Sequence, residues 1–128
     1  MRFRFAAFVS SIFRVVPILA GVAAASSAAA HSELRSSFPA AGAELDCAPA
    51  HIELQFNEGV QLTALRLHQL DGAEIKLPRR AIRDAKFETI DLPPLEPGEF
   101  RAEWRIISPD GHDVGGAILF SVSGECRS

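Results

Sequence analysis

The chain has no tyrosine, one tryptophan, two cysteines and a single methionine, Met1. Without tyrosine, and with only Trp104 to spare, there is no material for the flat aromatic surface that grips a polysaccharide. With Met1 the sole thioether, no cluster of methionine sulfurs can form elsewhere in the chain. The cysteines, Cys47 and Cys126, make no CxxC pair, so nothing spaces them for metal. Residues 31–128 show no helical period, no internal repeat and no low-complexity linker. Nothing after residue 30 is long or apolar enough to span a bilayer. At 128 residues there is room for one domain.

Acidic residues are missing from one region altogether. The first thirty residues hold Arg2, Arg4 and Arg14, no Asp or Glu, an apolar stretch over 15–25, and an Ala-x-Ala site at 28–30. That is the layout of a secretory signal peptide, so residues 1–30 are expected to be cleaved, leaving an exported domain of residues 31–128. The alternative is an uncleaved membrane anchor, but the apolar run contains Pro17 and falls short of the ~20 residues a spanning helix needs. Cleavage takes Lys+Arg from 13 to 10 while Asp+Glu stays at 16, so the formal charge moves from −3 to −6. An acidic domain of this kind is a poor candidate for nucleic acid or anionic lipid, and no membrane insertion is expected after processing. Export also puts Cys47 and Cys126 in an oxidising compartment, where a disulfide is the default.

What remains alternates with period two, broken by Gly and Pro. A short first strand is expected over 33–37. A second follows, with Ile52, Leu54 and Phe56 on one face and His51, Glu53 and Gln55 on the other. A third, over 62–70 with Leu65 and Leu67 inward, ends at an Asp71-Gly72 turn, and 74–77 forms a short return strand. Residues 78–85, carrying Arg79, Arg80 and Arg83, read as a solvated loop or else a docking patch. Further strands are expected over 87–92, over 100–107 with Phe100, Ala102, Trp104 and Ile106 inward, and around Ile118, Phe120 and Val122. About seven short antiparallel strands with one buried tryptophan predict an all-β, Greek-key, immunoglobulin-like β-sandwich.

Strand direction sorts the polar residues. With alternating strands, the end of the second strand at Asn57-Glu58, the start of the first at His31, and the loop after 100–107 all fall at one pole. His31, Glu58, Asp110 and His112 are therefore expected to meet, with Cys47 and Cys126 together at the opposite pole. If His31 becomes the first residue, its α-amine and ring Nδ1 can close a chelate on one metal ion. An α-amine titrates near 7.7–8.0 in general, low enough for a metal to displace its proton near neutrality. His112 would add a third nitrogen. Asp110, two residues earlier, could ligate or orient a ligand through a hydrogen bond. Nitrogen-rich ligation with a carboxylate favours Cu(II) over zinc or calcium. The other reading is that Asp110-Gly111-His112 is a polar turn and His31 merely the residue after the cut.

Three ordered motifs carry a resemblance. They are His31-Ser32-Glu33-Leu34 with Ser36-Ser37-Phe38-Pro39-Ala40-Ala41-Gly42-Ala43, then Ala48-Pro49-Ala50-His51-Ile52-Glu53-Leu54-Gln55-Phe56-Asn57-Glu58, and Trp104-Arg105-Ile106-Ile107-Ser108-Pro109-Asp110-Gly111-His112. Together they resemble the periplasmic copper-resistance protein CopC family, across roughly residues 31–123. The resemblance implies a Greek-key sandwich binding one Cu(II) ion in the periplasm, with His31, Asp110 and His112 as ligands and Glu58 as ligand or neighbour. A CopD-like inner-membrane copper transporter is a candidate partner. Some members hold Cu(I) on a methionine-rich segment, and none is expected here because the chain lacks the methionines. Gly59 and Asp113 stand where a proline often occurs, and His51 and His68 read as surface residues.

The expected role is a copper carrier or buffer, not an enzyme. The competing readings are a histidine-brace copper monooxygenase, against which the scarcity of aromatic residues counts, and an immunoglobulin-like interaction module with no metal.

Overall fold

The computed structural model describes residues 32–124 and residue 126. The seven strands are β1 (Leu34–Phe38), β2 (Ala43–Leu45), β3 (His51–Gln69), β4 (Glu74–Ile75), β5 (Asp84–Asp91), β6 (Gly98–Ile107) and β7 (Asp113–Val122). They form an all-β sandwich in the order β1-β3-β6-β7-β2, with β4 and β5 on the other edge of β3. Every pairing is antiparallel except one: β2 runs parallel to β7, Ala43 beside Phe120 and Leu45 beside Val122. The sequence pattern did not mark β2, whose three residues are too few to show a period.

The inward positions are the expected ones. Ile52, Leu54, Phe56, Ala102 and Ile106 are fully buried, and Phe100, Ile118, Phe120 and Val122 nearly so. Phe56 of β3 meets Trp104 of β6 edge to face at 5.7 Å, and Phe100 stacks on Phe120 at 5.3 Å. The first contact joins the first part of β3 to β6 and the second is a cross-strand pair of the β6–β7 ladder, both in geometries aromatic pairs favour.

The second and third expected strands prove to be one. β3 runs unbroken for 19 residues, with β1 and β5 along its first part and β6 and β4 along its second. It stays amphipathic by changing parity. Before Thr63 the even residues Ile52, Leu54, Phe56, Val60 and Leu62 are buried, whereas after it Leu67 is. The switch sits at a register shift between Leu62 and Ala64, where one extra residue is inserted opposite β6. A bulge of this kind rotates the following side chains onto the other face. Asn57-Glu58-Gly59, read as a strand end, is a second irregularity: against β5 the ladder jumps from Gln55 to Val60.

At the far end Cys47 and Cys126 form a disulfide, with Cα atoms 4.8 Å apart, closing a separation of 79 residues. Nearby Leu92, Pro93, Pro94 and Leu95 line an apolar depression with Ala48 and Pro49.

Candidate metal centre

Ladder geometry decides what lies beside Glu58. Gln61 pairs with Asp84 of β5 and with Ile107 of β6, so those strands flank β3 on opposite edges. Glu53 and Leu54 pair with both β5 and β1, which puts β1 on the β6 edge. Along that shared edge β1 begins at Leu34, beside Phe56, and β6 ends at Ile107, beside Gln61. The chain entering β1 and the loop leaving β6 therefore meet at the bulged residues 57–60. The meeting place is mid-strand, not the strand end that simple alternation of direction suggested.

The entering segment is stitched down. Ser32, 3% exposed, donates its hydroxyl to Glu58 Oε1. The Glu33 amide donates to Asn57 Oδ1 at 2.9 Å, and the Asn57 amide donates to the Glu33 carbonyl at 3.1 Å. His31, the residue before Ser32, lies outside the described residues.

The leaving loop is a self-closed turn. The Ser108 amide donates to the His112 carbonyl at 2.9 Å, the His112 amide to Ser108 Oγ at 3.0 Å, and the Gly111 amide to the Ser108 carbonyl at 2.9 Å. Gly111 takes φ +85°, a left-handed conformation in which a Cβ is strained. Within this frame the buried Ser108 hydroxyl donates to Asp110 Oδ1, and Asp110 Oδ2 lies 2.7 Å from His112 Nδ1. The Ser108 hydroxyl, then the His112 ring, hold the Asp110 carboxyl below its ordinary range. A carboxylate at Nδ1 selects the tautomer protonated there and leaves Nε2 with a lone pair to offer. The two side chains are 60% and 71% exposed, open to an ion from solvent.

Of the four residues expected to converge, the structure joins Asp110 to His112 and Glu58 to Ser32. Gly59 lines the same depression as Ser108, Pro109 and Gly111. Among the described residues, no three His, Cys, Asp or Glu side chains stand grouped to hold a metal. Asp113 is taken by Arg105, at 2.9 Å. His51 pairs with Glu53 at 3.0 Å, and His68 sits between Glu74 and Arg101 in the ladders, well along β3 from the bulge. The hydrogen-bonding roles of Ser32, Asn57 and Ser108 escaped the sequence reading. A serine two residues before Asp110 was a usable turn signal, whereas nothing in sequence links Ser32 to Glu58.

The fold is that of a small β-sandwich that exposes a carboxylate-held histidine in the loop after β6. The chain belongs to the CopC family: the family's CopC domain matches residues 34–123. It is 34% identical over 122 residues to copper resistance protein C of Xanthomonas campestris pv. juglandis, covering 88% of this chain and 95% of that one. Among solved structures it is similar to CopC from Methylosinus trichosporium OB3b, with TM-score 0.63, 25% identity, and 77% and 99% of the two chains covered. It is also similar to PcoC, a methionine-rich copper resistance protein from Escherichia coli, with TM-score 0.59, 30% identity, and 73% and 99% covered. The methionine richness is not shared, since Met1 is the only methionine here.

Proposed function

We propose that this chain, cut after Ala30, is an exported periplasmic Cu(II)-binding protein that carries or buffers one copper ion and catalyses no reaction. The observation that carries the reading is the Asp110–His112 contact, set where the segment leading from His31 is bonded to the β3 bulge. His31 supplies its α-amine and ring nitrogen, and His112 supplies Nε2, the nitrogen left free by Asp110. The Asp110 carboxylate contributes negative charge and holds the ring. Glu58 is an acidic neighbour that acts through Ser32. Three nitrogens with a carboxylate suit Cu(II). Relatives named for copper resistance agree with that metal. Copper is cargo in this account, and a CopD-like inner-membrane copper transporter is its candidate recipient.

The test is a Cu(II) titration followed by electron paramagnetic resonance, on protein beginning at His31 and on protein with one extra residue before it. The extra residue converts the α-amine to an amide and is expected to abolish the tight site while leaving the melting temperature unchanged. Equal affinity and identical spectra for both forms would falsify the N-terminal ligand.

A further inference from the structure

Four of the ten cationic residues in 31–128 lie in one short segment. The coil between β4 and β5, residues 76–83, holds Lys76, Arg79, Arg80 and Arg83 and no acid. It carries +4 within residues 31–128, whose total is −6, so the remaining residues carry −10. Net acidity counts against anionic lipid for the domain as a whole, but a local excess of +4 leaves one face that attracts anions.

Two features give that face a built shape. Arg80 is the pin: it is half-buried, and its Nη2 donates to the Leu62 carbonyl at 2.7 Å, fastening the coil to β3. Lys76, Arg79 and Arg66 of β3 are exposed and line one open depression of about 820 Å³ with Arg80, where Glu74 is the only acid. Arg83 is exposed too, its Nε 3.7 Å from Glu88 Oε1. Among these cations stands Ile82, a large apolar side chain 57% exposed that also lines the depression. Arginine forks match phosphate oxygens in pairs. An aliphatic side chain ringed by cations has no use for an inorganic anion, but it fits beneath a layer of lipid headgroups.

We propose that the coil of residues 76–83 is a peripheral docking surface for anionic phospholipid, with Lys76, Arg79, Arg83 and Arg66 on the headgroup phosphates and Ile82 among the upper acyl carbons. The contact is reversible and salt-sensitive, involves no insertion of the domain, and does not depend on copper being bound. It orients the protein, because the −10 borne by the rest disfavours every other approach.

The test is co-sedimentation of protein starting at His31, whose strands, core and disulfide all lie within the described residues. The vesicles are phosphatidylethanolamine with phosphatidylglycerol, against phosphatidylcholine alone. Binding is expected to the first and not the second, and to weaken as salt rises to ~0.15 M. Lys76→Glu with Arg79→Glu, which leaves the Arg83–Glu88 pair intact, is expected to weaken binding about tenfold or more. Ile82→Ser should weaken it several-fold without changing the salt dependence. Both variants should keep the parental melting temperature and copper affinity, because none of these residues touches the core aromatics or the loop of residues 108–112. Equal binding to both vesicle types, no binding to phosphatidylglycerol at low salt, or full binding by the double variant each overturns the proposal.

Discussion

Asp110 holds the His112 ring by Nδ1, 2.7 Å from Oδ2, while its other oxygen accepts from the Ser108 hydroxyl. One carboxylate thus links a buried serine to an exposed imidazole. The imidazole's direction is set from inside the sandwich, although the ring itself stands in solvent.

Asp110→Asn tests that link. An amide has no negative charge and can present its NH2 to the ring, which releases the selected tautomer. Loss of such an outer partner typically costs roughly 10–100-fold in metal affinity, and that is the drop expected in a competition titration with Cu(II). The melting temperature should hold, since both side chains are more than half exposed. Undiminished affinity would show that His112 needs no carboxylate.

Glu58 separates two roles that a metal titration can distinguish. As a direct ligand, its replacement by Gln would hurt more than any change at Ser32. As the anchor of the entering segment it acts only through the Ser32 hydroxyl. Ser32→Ala and Glu58→Ala should then weaken Cu(II) binding alike, with Glu58→Gln milder because its amide oxygen still accepts from Ser32. The Ser32→Ala, Glu58→Ala double variant should be no worse than either single one, because partners in one bond are not additive. A Glu58→Gln defect far larger than that of Ser32→Ala would make Glu58 a ligand.

Much of the fold was legible because period two survives burial: Ile52, Leu54, Phe56, Phe100, Ala102, Trp104 and Ile106 all alternate as read. What was lost is the continuity of β3. Asn57-Glu58-Gly59 has the composition of a turn and of a bulge alike, and only the neighbouring ladders decide between them. Residues near each other in sequence, Ser108 to His112, were placed as a unit. The Ser32–Glu58 bond spans 26 residues and leaves no local trace. Arg80 reads from sequence as one of three arginines in a solvated loop or docking patch, yet it is half-buried, its guanidinium bonded to the Leu62 carbonyl.

The disulfide ties the chain's last described residue to the loop before β3, far from Asp110. A link across a loop this long contributes about 2–4 kcal/mol, chiefly through the unfolded chain. Reduction should lower Tm by roughly 10–30 °C in a domain of this size, while Cu(II) affinity measured well below the transition stays unchanged. Thermal melts with and without reductant check the first part, and a titration under reductant-free alkylated conditions checks the second. A lost site with an intact melt would mean that the two ends of the sandwich are coupled.

Gly116 has little room for a side chain. It faces Trp104 across the β6–β7 ladder, and a Cβ there would lie 2.6 Å from Cζ2 and 2.9 Å from Cε2 of the indole. The indole is 7% exposed and set against Phe56 at 5.7 Å, so a shift that makes room disturbs that contact. Gly116→Ala should therefore cost about 1–3 kcal/mol, the range for overpacking a filled core, read as a lower denaturant midpoint. Gly59→Ala is the control, since a Cβ there meets nothing within 4 Å and should change stability by less than about 0.5 kcal/mol. With one tryptophan and no tyrosine, the emission reports on the surroundings of Trp104 alone. A shift of the folded-state spectrum in Gly116→Ala, absent in Gly59→Ala, would locate the strain at the indole. A Gly116→Ala protein that melts and emits like its parent would mean that the sheet can open at β7 without disturbing the tryptophan, and that the glycine is not what lets it lie flat.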